Sequence, residues 1–368
     1  MVVDYTGTSP ESDYGINVVM NYTEAYTTFG IKCALAPEVP NNEGSFRPVT
    51  ITAPPGCILN CRPPAPVAAR HIVGQWLPAA VHGALAQAVP DRVLAEGSLN
   101  LWNTQFTGRW DEAEAGSAAS AEGAGGRRFS LLFFNSGGMG ARPTKDGLSS
   151  TAFPSGVSGT PAEIVEARSP LLFVKRELRT DSGGPGRYRG GLGHWLALKG
   201  VRTTEPYRFS PFCDRTQYPA RGLGGGLPGA PGEYRLERSE TANASAALGA
   251  ASGWPAAGER MTRTAEGEAQ PASVEQPNPK ATVWVEPETE IVLGLPGGGG
   301  FGDPLIRDPE LVRADVLDGY VSIEHAREDY GVILESAPTG GDGALRVDPP
   351  ATERLRAAKR ERPPTSAE

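Results

Sequence analysis

Glycine is the residue that most limits what this chain can become. It comes in bursts: "DSGGPGRYRGGLGHW" from Asp181, "GGGLPG" from Gly224 and "GGGGFG" from Gly297. None of these contains an apolar run, and stretches so rich in glycine make poor helix interiors. With 34 prolines beside 47 glycines in 368 residues, many turns and short strands are expected. The apolar fraction of 39% is still enough to fill a core, so the chain is globular. The fold class expected is mixed α/β (α+β), rich in short strands and Gly/Pro turns, with a few amphipathic helices.

A net charge of -8 argues against a phosphate-backbone partner, which would need clustered Lys and Arg. The opening "MVVDYTGTSP" lacks the basic and apolar regions of a signal peptide, and no apolar run approaches a membrane span. A cytoplasmic protein that handles a small molecule, with neither nucleic acid nor membrane as partner, is the expectation. Cys33, Cys57, Cys61 and Cys213 are too few and too irregular for a disulfide framework. The "CILNC" pair lacks a second pair to complete a zinc site.

Along the chain, "VVDYTG" reads as a strand entered in mid-sheet, and "VTITAPPG" as another. Val18, Tyr22 and Phe29 recur at helical spacing, which predicts a helix over 17–35. An apolar stripe through 68–89 predicts a second helix kinked at Pro78, with His71, Gln75 and His82 along a solvated side. Strands are expected at Phe129–Phe134, Leu171–Leu178, His194–Leu198, Ala281–Val285 and Glu290–Leu293. Asp308 and Ser322 stand as N-caps, with Gly319 and Gly331 as terminators, and these signals predict two short helices. The main body is expected to run over 1–335, with flexible insertions near 111–127 and 239–279 and a disordered tail over 336–368.

Two glycine bursts formally satisfy G-x-G-x-x-G, but Asp303-Pro304 and Pro228 interrupt the helix that a dinucleotide site needs. The chain has no G-x-x-x-x-G-K-[ST] loop, no G-x-S-x-G elbow and no H-E-x-x-H. A metal would draw on distant residues such as Asp4, Asp13, His71, Asp181 and Asp214. The stretch from Asp181 has two readings. In one, its amides turn inward around an anion with Arg187 and Arg189 as planar donors; in the other, its glycines serve tight turns and close packing.

Seven ordered blocks then carry a resemblance. "DYTGTSP", "PNNEGSFRPVTITAPPGCILN", "HIVGQWLPAAVHGALAQAVPDRVLAEGS", "GGMGARPTKDG", "TPAEIVEA", "DSGGPGRYRGGLG" and "PGGGGFGDPLIRDPELVRADVLDGYVSIEHAREDYGV" together resemble the hydantoinase B / 5-oxoprolinase family. The resemblance implies ATP-driven attack on an unreactive carbonyl: hydrolysis of a cyclic amide, or carboxylation of a ketone. It implies a hetero-oligomer in which a hydantoinase A-type partner subunit holds ATP and this chain receives an anionic phosphorylated species. Asp181, Arg187, Arg189, Asp214 and Arg215 are then the expected catalytic residues, with Gly183, Gly184, Gly190, Gly191 and Arg221 binding substrate. Members usually carry a further N-terminal portion with metal-liganding residues, so a divalent ion (Mg, Mn or Zn) would have its ligands mostly outside this chain. The alternative implied is a truncated, non-catalytic relative that serves as a structural or partner-binding subunit. "GTPAE" at Gly159–Glu163 also departs from the family's "NTPVE", which removes a side-chain amide.

Overall fold

The computed structural model describes residues 1–99, 101–110, 127–238, 273–336 and 345–361. Most of the two expected insertions lies outside these residues. The fold is mixed, with two antiparallel sheets at its centre. One has strand order β10-β7-β3-β4, from β3 (Leu101–Trp110), β4 (Arg127–Ser136), β7 (Tyr207–Phe212) and β10 (Val283–Val285). The other has order β5-β6-β11-β8-β9, from β5 (Leu171–Leu178), β6 (His194–Gly200), β8 (Glu233–Arg238), β9 (Ser273–Glu275) and β11 (Glu290–Gly294).

Alternation along these strands turns one face of each sheet inward. Trp102, Phe106, Phe133 and Phe209 from the first sheet share a single buried cluster with Leu196, Leu198, Ile291 and Leu293 from the second. The Phe106 ring stacks on Phe209 with centroids 4.7 Å apart. The sheets therefore form a sandwich over one core.

Ahead of it lies a smaller unit with its own core of Val18, Cys57, Leu59 and Leu77. There, β1 (Val2–Asp4) pairs in parallel with β2 (Thr50–Thr52), beside α1 (Met20–Leu35) and the short α2 (Glu43–Phe46). The stripe over 68–89 is not one kinked helix but two, α3 (His71–Gly74) and α4 (Leu77–Leu85), with Pro78 in the first turn of α4. Nor is its histidine side solvated. Gln75 and His82 are buried, Gln75 donating to Ser155 Oγ at 3.1 Å and His82 Nε2 lying 2.9 Å from the Gly30 carbonyl.

After α5 (Ala162–Arg168), the expected C-terminal helices form as α6 (Pro309–Leu317) and α7 (Ile323–Glu328). Asp308 accepts from the Glu310 amide and Ser322 from the His325 amide, as their cap positions require. The disordered tail needs correction: a hairpin of β12 (Leu334–Ser336) and β13 (Leu345–Val347) leads into α8 (Pro349–Glu361). Arg356 ties this helix down by donating to the carbonyls of Tyr330 (3.0 Å) and Arg307 (2.7 Å). Among the described residues, no helix is long and apolar enough to cross a membrane.

The glycine bursts form neither helix nor strand. They run beside one another and bond amide to carbonyl between segments: Gly138 to Pro296 (2.9 Å), Gly191 to Met139 (2.8 Å), Gly298 to Gly191 (2.9 Å), Gly184 to Gly298 (2.8 Å) and Gly300 to Leu227 (2.9 Å). The backbones approach so closely that a Cβ at Gly138 would overlap the Gly191 carbonyl, and one at Gly298 the Met139 carbonyl. Only glycine fits, as at the axis of the collagen triple helix.

Gly138→Ala should therefore destabilise the chain by more than about 3 kcal/mol in urea unfolding. Gly83→Ala, with nothing within 4 Å of the added methyl and a helical position in α4, should stabilise it by about 0.5–1 kcal/mol. Equal effects would contradict the packing.

Burial holds the His194 imidazole down to a pKa of about 4, against an ordinary 6.5, with Arg176 adding to the effect. The unfolded chain therefore takes up this proton first as pH falls. The contribution is whole above pH 6.5 and is lost between 6.5 and about 4, amounting to about 3 kcal/mol. His194→Gln should flatten the stability profile in that window; an unchanged slope would remove His194 as its source.

Candidate functional site

A cavity of about 560 Å³ opens where α3 meets the loop after β7. Ile72, Val73 and Trp76 make an apolar wall; Asp214, Thr216, Gln217, Asn278 and Lys280 make a polar one. The loop is fixed from both sides. The Cys213 amide donates to the Pro279 carbonyl at 3.0 Å, and the Trp102 indole to the Asp214 carbonyl at 3.2 Å. Asp214 pairs with Lys280 at 2.6 Å.

Arg215 is the most constrained residue of the site. Its φ of 58° lies in the left-handed region, unusual for a side chain of this size, and its guanidinium is buried. The guanidinium stacks over the Trp76 ring at 4.0 Å and donates to Glu96 (3.0 Å) and to the carbonyls of Pro219 (3.0 Å) and Gly97 (3.3 Å). Glu96 also receives Arg221 from its Nε at 3.0 Å and Nη2 at 2.8 Å. Burial pushes the Glu96 carboxyl up, but hydrogen bonds from Arg221 and the charges of Arg215 and Arg221 outweigh it and hold the carboxyl below its usual range. Glu96 and Arg221 also line a second cavity of about 240 Å³, on the far side of this ion pair, with His82 and Phe153.

Behind the first cavity, the Asn103 amide lies 3.1 Å from His71 Nε2, and the Asn103 carbonyl oxygen is buried with no hydrogen-bond partner. Burial lowers the His71 pKa against the pull of Asp214, so the ring is neutral near pH 7.

Of the residues expected from sequence, Asp214, Arg215 and Arg221 gather here. Asp181, Arg187 and Arg189 do not. Asp181 accepts from the Ser322 amide at 2.7 Å and so anchors α7. Arg189 is buried, donating to Asp315 (3.3 Å) in a cluster where Arg307 binds both Asp146 (2.7 and 2.8 Å) and Asp315 (2.8 Å). Exposed Arg187 lies over the Tyr188 ring. The anion-cradle geometry expected of the glycines is corrected as well. Gly184, Gly190 and Gly191 give their amides to backbone carbonyls, and a Cβ at Gly183 would overlap the Gly190 carbonyl. The metal residues named from sequence do not converge: among the described residues, no group of three or more His, Cys, Asp or Glu is placed to hold a metal ion. Trp76, Glu96, Asn103 and Lys280 are site residues that the sequence reading passed over. Each stands alone in sequence, and only the fold brings them together.

The profile of the family described as hydantoinase B/oxoprolinase matches residues 1–304. The chain belongs to this family. Among its relatives, the beta chain of the caprolactamase of Pseudomonas jessenii is 29% identical over 359 residues, 95% of this chain and 53% of the relative. The B-type subunit of a putative D-/L-hydantoinase from a Pseudomonas species is 29% identical over 342 residues, 91% of this chain and 50% of the relative. The nucleotide-free structure of an acetone carboxylase superposes with a TM-score of 0.73 over 98% of this chain and 46% of its own; at 20% identity it shows the fold alone. The chain thus spans about half the length of these curated relatives. Two of them are named as subunits of larger enzymes.

Arg215→Ala should cost about 3 kcal/mol of stability, because it leaves a buried carboxylate short of a partner. Arg215→Lys should cost nearly as much, since an ammonium cannot reach Glu96 and two carbonyls while covering Trp76. A Lys variant that melts with the parent would show that the guanidinium's bonds to Glu96 and the two carbonyls contribute nothing to stability.

Proposed function

We propose that this chain is part of an ATP-dependent enzyme that hydrolyses a cyclic amide, and that the cavity beside Trp76 receives the amide. The reading rests on Arg215: a large side chain in the left-handed region, buried and stacked at the rim of a polar cavity, is a strained feature of the kind that clusters at functional sites. Kinship with a caprolactamase chain and a putative hydantoinase chain supports the reaction class.

A lactam resists water because resonance stabilises it and nitrogen leaves badly. ATP, held by an A-type partner subunit, would supply the phosphoryl group that makes the carbonyl carbon reactive. The residues here serve the ring. Ile72, Val73 and Trp76 take its methylene edge, while Thr216, Gln217 and Asn278 offer hydrogen bonds to its amide. The half-exposed Lys280 ammonium, held in place by Asp214, is the cation offered to a negatively charged oxygen of the activated amide.

The test is substrate-dependent ATP hydrolysis with hydantoin, 5-oxoproline or caprolactam. The chain alone should show none; supplied with an A-type subunit and the remaining half of the family fold, it should turn over at least one. Lys280→Ala should then lower the rate at least about tenfold. Turnover only with a ketone and bicarbonate would move the proposal to carboxylation. The same rate in the Lys280 variant would remove the cavity from the chemistry.

A further inference from the structure

Glu96 stands between two cavities. The second, of about 240 Å³, opens between α4 and segments 94–99 and 221–223. Strain marks both. Among the described residues, four other than glycine have a positive φ; Arg215 (58°) lines the first cavity, and Leu99 (55°), which is buried, lines the second. Residues held in this region collect at ligand sites.

Leu94, Leu99, Phe153 and Leu223 give the second cavity apolar walls. Gly83 of α4 leaves it room, with nothing within 4 Å of a Cβ placed there. Among the described residues, the polar side chains that line it are those of Glu96, Arg221 and His82. Glu96 is already saturated. One of its oxygens accepts from Arg221 Nε (3.0 Å) and Nη2 (2.8 Å), the other from Arg215 Nη1 (3.0 Å) and the Arg221 amide (3.1 Å). Two guanidiniums against one carboxylate leave positive charge in excess. Arg221 meets Glu96 by its Nε–Nη2 edge, so the Nη1–Nη2 edge, a fork that fits a carboxylate, stays open on a side chain 81% exposed.

His82 offers the opposite, an acceptor in a buried place. Its Nε2 lies 2.9 Å from the Gly30 carbonyl, which can only accept, so Nε2 carries the proton. Nδ1 is then an acceptor with no partner among the described residues. Burial lowers the His82 pKa against the pull of that bond, so the ring is neutral near pH 7. With Glu96 saturated and His82 neutral, nothing here balances an ammonium, whereas a neutral N–H suits the free acceptor. The volume is below the ~300–1,000 Å³ of drug-sized pockets and suits a ligand the size of an amino acid.

We infer that this cavity binds a small carboxylate with an aliphatic body and a neutral N–H, the chemistry of an N-acylated or N-carbamoylated aliphatic amino acid. Arg221 takes the carboxylate, His82 takes the N–H, and Leu94, Leu99 and Phe153 cover the side chain. The site is separate from that of the proposed reaction and stands without it.

The test is titration calorimetry on the 368-residue chain, with no turnover required. N-carbamoylleucine should bind one-to-one. Free leucine, which presents an ammonium, and isocaproate, which has no N–H, should each bind at least tenfold more weakly. Arg221→Gln should weaken N-carbamoylleucine at least tenfold. Gly83→Met, which grows a side chain into the open space from a helical position, should do the same while melting no lower than the parent, so that disturbance of Glu96 in the Arg221 variant cannot mimic the result. Lys280→Ala, in the first cavity, should leave binding as it was. No binding of N-carbamoylleucine would overturn the inference, as would equal binding of leucine or isocaproate, full binding by the Gly83 variant, or loss of binding in the Lys280 variant.

Discussion

Contact between bare backbones is the constraint on which the rest of this structure depends. Segments around Gly138, Gly184, Gly191, Gly226 and Gly298 lie closer together than any side chain permits, and their amides and carbonyls satisfy one another. The lattice reaches the candidate site through Glu96. The Glu96 amide donates to the Arg221 carbonyl (3.2 Å), and its own carbonyl accepts from Gly299 (2.8 Å). Its side chain then holds Arg215, and Arg215 holds its place against Trp76. A strained arginine is thus kept in position by a scaffold that has little freedom to relax.

Among the described residues, two ion networks built on buried arginines adjoin the glycine segments. Glu96 with Arg215 and Arg221 borders both cavities, whereas Asp146, Arg307, Asp315 and Arg189 join the glycine segments to the C-terminal helices. Burial works against ionising Asp146, but hydrogen bonds and charge from Arg307, with Arg189 beside it, keep its carboxyl below the ordinary range. Such pairs add little net stability over apolar packing, yet breaking one strands a buried charge. The second network is accordingly an attachment device, and the first is the one that borders the cavities.

Features written in adjacent residues were legible. Asp308-Pro309 and Ser322 start helices and Gly319 and Gly331 end them, because capping is settled within one turn. The strands at Leu171, His194 and Glu290 were equally plain, whereas β3, β7 and β8 were passed over. In β3, alternation of Trp102, Thr104 and Phe106 includes a buried threonine, which weakens the apolar signal. Helix α8 was missed because a hydrogen bond donated by Arg356 and one that Thr352 accepts from the Ile333 amide, not an apolar stripe, hold it. His82 and Gln75 were given to solvent because periodicity says which residues share a face and not which face is covered. For the site, Asp214 and Arg215 were named through the family resemblance, but the partners of Arg215 are 119 residues away at Glu96 and farther at Trp76, and that of Asp214 is Lys280. The glycines offered two readings, and local sequence holds no information on how near another backbone comes.

Amide hydrogen exchange decides between those readings most directly. If the glycine amides bind one another, those of Gly184, Gly191 and Gly298 should exchange only when the whole chain unfolds, and adding inorganic phosphate should leave their rates unchanged. Rapid exchange in the native protein, slowed by phosphate, would mean that these amides face an anion site and would contradict the lattice.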